Sequence, residues 1–198
     1  MEMSCREMLV ARHGETQWNL ERKWQGSSDI PLNETGILQA KKLGKSLINE
    51  GISRIYSSDM ARAMATARIV SDIVESGDIT TDNRLRERNL GKFEGWKSYE
   101  VADFMGIPRE SADILETDEL TIEGWPEVEP WKTFVERVWS AILDISQSSQ
   151  ADKTLVVAHG GVMRAITYTL TEEGLGMPEF SNGQIIRLRL DGKNWEIA

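Results

Sequence analysis

Two histidines, His13 and His159, are the residues of this chain whose type and setting most invite chemistry, and they share one context. Each follows a short apolar run and precedes glycine: Met8-Leu9-Val10-Ala11-Arg12-His13-Gly14 and Leu155-Val156-Val157-Ala158-His159-Gly160-Gly161. Apolar runs of this length read as strands buried on both faces. In open α/β sheets the ligand crevice lies beyond the carboxyl ends of the strands. Both imidazoles therefore belong at that edge, with Arg12 beside the first, and the glycines let backbone approach a ligand. A neutral imidazole can attack phosphorus, a cationic one can steady equatorial oxygens, and arginine's planar fork matches a phosphoryl group. The set points to an oxyanion site, most plainly for phosphate. Taken singly, either histidine also reads as a satisfied residue at a strand end. A metal site would need a third ligand at characteristic spacing, which no other histidine or cysteine pair offers. P-loop, G-x-G-x-x-G and G-x-S-x-G patterns are absent from the sequence.

Strands that carry these residues must be held by the rest of the chain. Asn33 is placed to cap a helix running to about residue 49, with Ile37, Ala40, Leu43 and Leu47 as its apolar stripe and Gly51 ending it. Residues 54–57 read as a second strand. Asp59 is expected to open a helix over residues 60–75, stopped near Gly77, and residues 79–82 read as a further short strand. A long helix is expected over 131–146, a buried strand over 154–158 and a helix over 162–170. The end reads as a hairpin: a strand over 184–190, a turn at Asp191-Gly192, and a last strand to residue 197. This alternation predicts an α/β fold of three layers, a mostly parallel central sheet with helices on both faces.

The chain has 198 residues, 40% of them apolar and 28% charged, which suits a single soluble globular domain over residues 1–198. One cysteine, Cys5, allows no internal disulfide framework. No stretch approaches a membrane span, and a cytoplasmic location is expected. The net charge of −9 has the wrong sign for a nucleic-acid-binding surface. Residues 92–130 hold eleven acidic side chains against Lys92, Lys97 and Arg109, so this segment alone is −8 and the other residues sum to −1. The segment interrupts the strand–helix alternation and is treated as an acidic insertion resembling a lid.

Arg12-His13-Gly14-Glu15-Thr16-Gln17-Trp18-Asn19 resembles the signature of the histidine phosphatase superfamily, the phosphoglycerate mutase-like proteins. The likeness continues through Gln25-Gly26, Asp29, Leu32-Asn33, Gly36, Gln39-Ala40, Tyr56-Ser57-Ser58-Asp59, Arg62-Ala63 and Thr66-Ala67. It resumes at Leu85-Arg86-Glu87, Gly91 and Glu94-Gly95, and closes with His159-Gly160-Gly161-Val162-Met163-Arg164. The resemblance implies that His13 is a nucleophile that becomes a phosphohistidine. It implies that Arg12, Arg62 and His159 clamp the phosphoryl oxygens, with Asn19, Gln25, Gly26 and Gly160 lining the same site. Glu87 is implied as the acid that protonates the leaving oxygen and then the base that activates water, with no metal or other cofactor. Read from the residues alone, Glu87 among Arg84, Arg86 and Arg88 is equally an ordinary ion-pair cluster. In an extended segment Arg86 and Arg88 would face away from it.

The same apparatus serves a phosphomonoester hydrolase or a mutase, and a catalytically silent phospho-ligand sensor is the third possibility. After His159 this chain has Gly160-Gly161-Val162, where mutases of this family typically place an asparagine-serine pair, and after Glu87 it has Arg88-Asn89-Leu90-Gly91, where they carry a tyrosine. The acidic insertion would disfavour polyanions if it faced the site, and would merely aid solubility if it faced solvent. These features favour hydrolysis of a small phosphomonoester, with no nucleic-acid or membrane partner. Trp131 and Trp139 are expected to pack into the core and Trp18 beneath the site, while Trp96 and Trp125 are candidate contacts for the leaving group. Arg187 and Arg189 are expected on a solvated strand face, and the C-terminal hairpin offers an edge for a possible homodimer.

Overall fold

The computed structural model describes residues 6–108, 122, 124–149, 153–171, 179–191 and 194–198. Six strands form one sheet: β1 (Glu7–Arg12), β2 (Arg54–Ser57), β3 (Ile79–Thr81), β4 (Lys153–Ala158), β5 (Ile185–Asp191) and β6 (Asn194–Ile197), in the order β3-β2-β4-β1-β5-β6. The pairs β2–β3, β2–β4 and β1–β4 are parallel, while β1–β5 and β5–β6 are antiparallel. Six helices accompany them among the described residues: α1 (Gln17–Leu20), α2 (Glu34–Leu47), α3 (Ala61–Val74), α4 (Ser98–Met105), α5 (Trp131–Ser148) and α6 (Gly160–Thr171). None is long and apolar enough to cross a membrane.

The sheet is covered on both faces because its central strands are apolar through their middles, Met8–Ala11 and Leu155–Ala158. Met8, Val10, Val156 and Ala158 turn to α5 and α6, and Leu9, Ala11, Leu155 and Val157 turn to α2 and α3. The three-layer arrangement is the expected one. Arg12 lies directly opposite Ala158 in the parallel β1–β4 pair, so the next residue on each strand, His13 and His159, leaves the sheet at the same level.

Several local expectations are corrected. Ile37 is not part of the buried stripe of α2. It is 38% exposed, and the buried face runs through Gly36, Ala40, Leu43, Gly44 and Leu47. The glycines turn the helix because they allow contact that a side chain forbids: a Cβ on Gly36 would stand 2.1 Å from the Glu15 carbonyl. Asp59 does not cap α3. The N-cap is Met60, the Ala61 amide donates to Asp29 Oδ1 at 2.7 Å, and Asp59 is engaged by Arg86. Helix α6 begins at Gly160 rather than 162, directly after His159. The turn at Asp191-Gly192 lies partly outside the described residues.

The described part of the insertion has its own small core. Phe93, Val101, Ala102, Ile122 and Val128 form it together with Trp24 and Leu90 of the flanking chain, with Trp96 and Trp125 packed on it. The Phe93 ring meets those of Trp96 and Trp125 edge-on at 5.7 and 5.8 Å. Such contacts hold a short segment that has little backbone pairing of its own.

Candidate active site

A cleft of about 520 Å³ opens at the carboxyl ends of β1 and β4. Arg12, His13, Asn19, Gln25, Gly26, Arg62, Glu87 and Gly160 all line it. His159 is fully buried behind them, its ring centroid 5.1 Å from that of His13.

The loop that carries His13 is fixed at every backbone group. The His13 amide donates to the Ala158 carbonyl at 3.0 Å, and its carbonyl accepts from Asn182 Nδ2 at 3.0 Å. The Gly14 amide donates to Thr66 Oγ1 at 3.0 Å, and a Cβ on Gly14 would stand 2.3 Å from the Gly36 carbonyl. His13 Nδ1 lies 2.6 Å from the Gly14 carbonyl oxygen. A carbonyl only accepts, so Nδ1 carries the proton and Nε2 keeps its lone pair. Burial, then the neighbouring charges of Arg62 and Arg12, hold the His13 pKa well below the usual imidazole value, so the ring is neutral.

Arg62 enters from the first turn of α3 and is fully buried. Its terminal nitrogens donate to the carbonyls of Ser28 at 2.7 Å and Gly26 at 2.9 Å, and its Nε has no partner among the described residues. Arg12 donates to the Phe180 carbonyl, and its Nε is also buried and unpartnered. Burial, then Arg164, pushes the Arg12 pKa down to about 10, and burial lowers that of Arg62 too. Buried cations that donate to carbonyls, each with a spare N–H, leave a site that an anion would complete.

His159 Nε2 is 2.9 Å from Ser58 Oγ, while its Nδ1 is buried with no partner among the described residues. Ser58 Oγ also accepts the Met60 amide at 3.4 Å, and with the Ser58 hydroxyl donating to Nε2 the imidazole proton rests on Nδ1. Burial and then Arg62 hold the His159 pKa well below the usual value. Arg12 Nε, Arg62 Nε and His159 Nδ1 are thus three unused donors around His13.

Glu87 is placed by backbone. Its Oε1 accepts the Arg88 amide and its Oε2 the Gly161 amide, each at 3.0 Å. Its own segment is clamped by Arg137 of α5, which donates to the carbonyls of Arg84, Arg86 and Glu87 at 2.6, 2.8 and 3.1 Å. The flanking arginines look elsewhere: Arg86 to Asp59 at 2.6 Å, Arg88 to the Glu129 carbonyl at 2.7 Å, Arg84 to Asp82 and Asp144. Gln25 Oε1 accepts from Thr16 Oγ1 at 2.9 Å, and Asn19 Oδ1 receives the Thr16 amide at 3.1 Å.

One expectation about the insertion is corrected here. Trp96 and Trp125 do not line the cleft; they are spent on the insertion's own core. None of its described carboxylates lines the cleft either. Glu94 binds the Ser27 amide at 2.8 Å and the Ser28 hydroxyl, Glu100 the Lys97 amide at 2.7 Å, and Glu129 Arg137 at 2.6 Å. The acidic residues over 109–121 and at 123 lie outside the described residues. The lining itself carries Arg12, Arg22, Lys23, Arg62 and Arg164 against Glu15, Glu87 and Glu179. Trp131 and Trp139 pack in the main core, as expected. Trp18 is half-buried against Gly95, outside the lining.

Arg22, Arg164 and Asn182 were not singled out as site residues. Arg164 stands inside a matched block. Asn182 has no local signal, because only the β1–β5 pairing brings it to His13.

The histidine phosphatase superfamily (branch 1) matches residues 8–198, and the chain belongs to it. That superfamily is enzymatic and holds phosphatases as well as mutases. Phosphoglycerate mutase-like protein 4 of Arabidopsis thaliana is 34% identical over 193 residues, 96% of this chain and 83% of its own. A probable phosphoglycerate mutase, GpmB, of Salmonella arizonae is 33% identical over 196 residues, 92% of this chain and 80% of its own. Among solved structures, Bacillus stearothermophilus YhfR superposes with a TM-score of 0.85 at 29% identity, covering 97% of this chain and 95% of its own.

Proposed function

We propose that this chain hydrolyses a small phosphomonoester through a phosphohistidine on His13. The observation that carries this reading is the state of His13: neutral, with Nδ1 committed to the Gly14 carbonyl and Nε2 left as the nucleophile beside two buried guanidinium groups. Nε2 attacks phosphorus, the bond to the ester oxygen breaks, and Glu87 gives that oxygen its proton. Water then attacks the phosphohistidine, gives its proton to Glu87, and releases phosphate and neutral imidazole. Arg12 Nε, Arg62 Nε and His159 Nδ1 hold the equatorial oxygens throughout.

Hydrolysis is supported at Gly161. An asparagine there, as in typical mutases, would drive its Cβ to 2.1 Å from Glu87 Oε1 as Glu87 is held here. Leu90 lines the cleft close to where mutases carry a tyrosine. A mutase remains the second reading, favoured by the names of the two curated relatives and by the excess of cations in the lining.

The test is a panel of small phosphomonoesters, with chelator present, following both free phosphate and isomer formation. Wild type should release phosphate, and His13→Ala should lose at least about a thousandfold. Glu87→Gln should lose about a hundredfold or more on alkyl esters and far less on an aryl ester whose leaving group needs no proton. Isomer formation that needs a bisphosphate primer, without phosphate release, would replace hydrolysis by transfer.

A further inference from the structure

Arg22 lines the same cleft but has no part in holding the phosphoryl group as proposed above. It follows the short helix α1, at the position where chains usually turn left-handed, and its φ is 54°. Glycine or asparagine takes such a position most easily, and a long side chain there is disfavoured. The helix needs the turn; it does not need an arginine. The backbone around it is held on three sides. The Arg22 amide donates to the Asn19 carbonyl at 3.0 Å, the Lys23 amide to Trp18 at 2.8 Å and the Trp24 amide to Trp96 at 2.8 Å. The last bond ties this loop to the insertion, with Lys23 and Lys97 bridged beside it.

The side chain is exposed and makes no hydrogen bond or ion pair with any described residue. Its neighbour differs: Lys23 is paired with Glu21 at 2.8 Å. Arg22 is thus a cation at the cleft wall, carried on a fixed backbone and unpaired among the described residues. Arg12 and Arg62 already supply the charge for one phosphoryl group.

We infer that Arg22 is a specificity-determining residue that binds a second anionic group on the substrate, a carboxylate or a further phosphate, borne by the part that leaves. This rests on the reading that Arg12 and Arg62 hold the transferred phosphoryl group. It does not depend on whether water or a hydroxyl receives it. A guanidinium fork can take either anion through two parallel N–H donors.

Binding separates this inference from the chemistry. In the His13→Ala background, calorimetric titration would compare glycerol 3-phosphate, 3-phosphoglycerate and glycerol 1,3-bisphosphate, which share a three-carbon frame and differ in the distal group. The two dianchored ligands should bind about tenfold or more tighter than glycerol 3-phosphate, and adding Arg22→Asn should bring that ratio close to one. Asparagine keeps the left-handed backbone acceptable, and Arg22→Lys should restore part of the ratio. Tightening by the carboxylate alone, or by the second phosphate alone, identifies which anion the site takes. No tightening by either, or a ratio that survives Arg22→Asn, overturns the inference. Selective binding in this background, with no phosphate release by wild type, would instead remove the hydrolytic reading and leave Arg22 its role.

Discussion

The carboxylate of Glu87 hangs between two amides, those of Arg88 and Gly161, and the second contact exists only because residue 161 has no side chain. A methyl group there would meet Oε1 at 2.1 Å, whereas one on Gly160 would sit 3.4 Å from Arg12 Nε, close to ordinary contact. Gly161→Ala should therefore lower kcat by about a hundredfold, the scale of a 1 Å misplacement of a catalytic group. Gly160→Ala should lower it far less, and both should unfold within a few degrees of wild type. Equal kinetics for the two variants would show that Glu87 is not held as described. The same scale explains the two imidazoles. His13 is engaged at Nδ1 by a carbonyl and His159 at Nε2 by a hydroxyl, so opposite ring nitrogens face the site: Nε2 of His13, which can attack, and Nδ1 of His159, which can donate.

At the scale of elements, α2 does two jobs through one residue. Asn33 Oδ1 accepts the Gly36 amide at 2.8 Å, and its Nδ2 donates to Glu15 at 2.8 Å, in the loop after His13. Asn33→Ala removes the cap and the tether and should cost about 1–2 kcal/mol. Asn33→Asp keeps the cap but puts a carboxylate against Glu15. It should retain most of the helix stability while weakening phosphate-analogue binding. Urea denaturation and vanadate affinity, measured on both variants, separate the two roles: if Asn33→Asp loses as much stability as Asn33→Ala the cap carries nothing, and if Asn33→Asp keeps wild-type vanadate affinity the tether carries nothing. Other elements act on the site from outside it. Helix α5 clamps the Glu87 segment through Arg137, and Glu94 of the insertion holds the 27–28 loop whose Ser28 carbonyl receives Arg62.

For the whole molecule, the two ends of the sheet carry opposite arrangements of charge. At the far end Glu7, Glu50, Lys153 and Arg187 form a paired network on β1, β4, β5 and the turn after α2, and the Glu50 carboxyl is pulled down to about 2 by Arg187 and Lys153. Arg187 thus belongs to an ion-pair network rather than to a merely solvated face. At the site end, cations and two neutral histidines are buried without such partners. Both histidines have pKa values below the ordinary one, so the unfolded chain gains protons near pH 6.5 that the folded chain refuses. Stability should be flat above about pH 7 and should fall as pH drops below about 6.5, by up to about 2.7 kcal/mol per pH unit for the pair. The carboxylates of Glu50, Asp59 and Asp82 are also depressed, but their contribution is lost only below about pH 4.5. Guanidinium denaturation at pH 7.5, 6.5 and 5.5 therefore isolates the histidines. A slope that does not shrink in His159→Gln, or stability that rises on acidification, contradicts this account.

Much of this was legible in the chain itself. Runs such as Leu155–Val156–Val157 can only be strands with both faces covered, and an apolar strand ending in histidine and glycine can only present that histidine at the sheet's edge. Arg12, His13 and His159 were nameable for the same reason, because their local setting carries their chemistry, whereas Arg62 and Glu87 were nameable only through the resemblance of their sequence blocks to the histidine phosphatase superfamily. What tertiary structure decided is everything that depends on a partner distant in sequence. The register of β1 on β4 brings the imidazoles together. The arrival of Asn182 with β5 secures the His13 carbonyl, and the aromatic core of the insertion takes Trp96 and Trp125 away from the cleft. The acidic composition of that insertion gave no direction for its carboxylates, because charge counts along a chain do not say which way a side chain points. Glu94, Glu100 and Glu129 turn to amides, hydroxyls and Arg137, and the cleft is left lined by more cations than anions among the described residues.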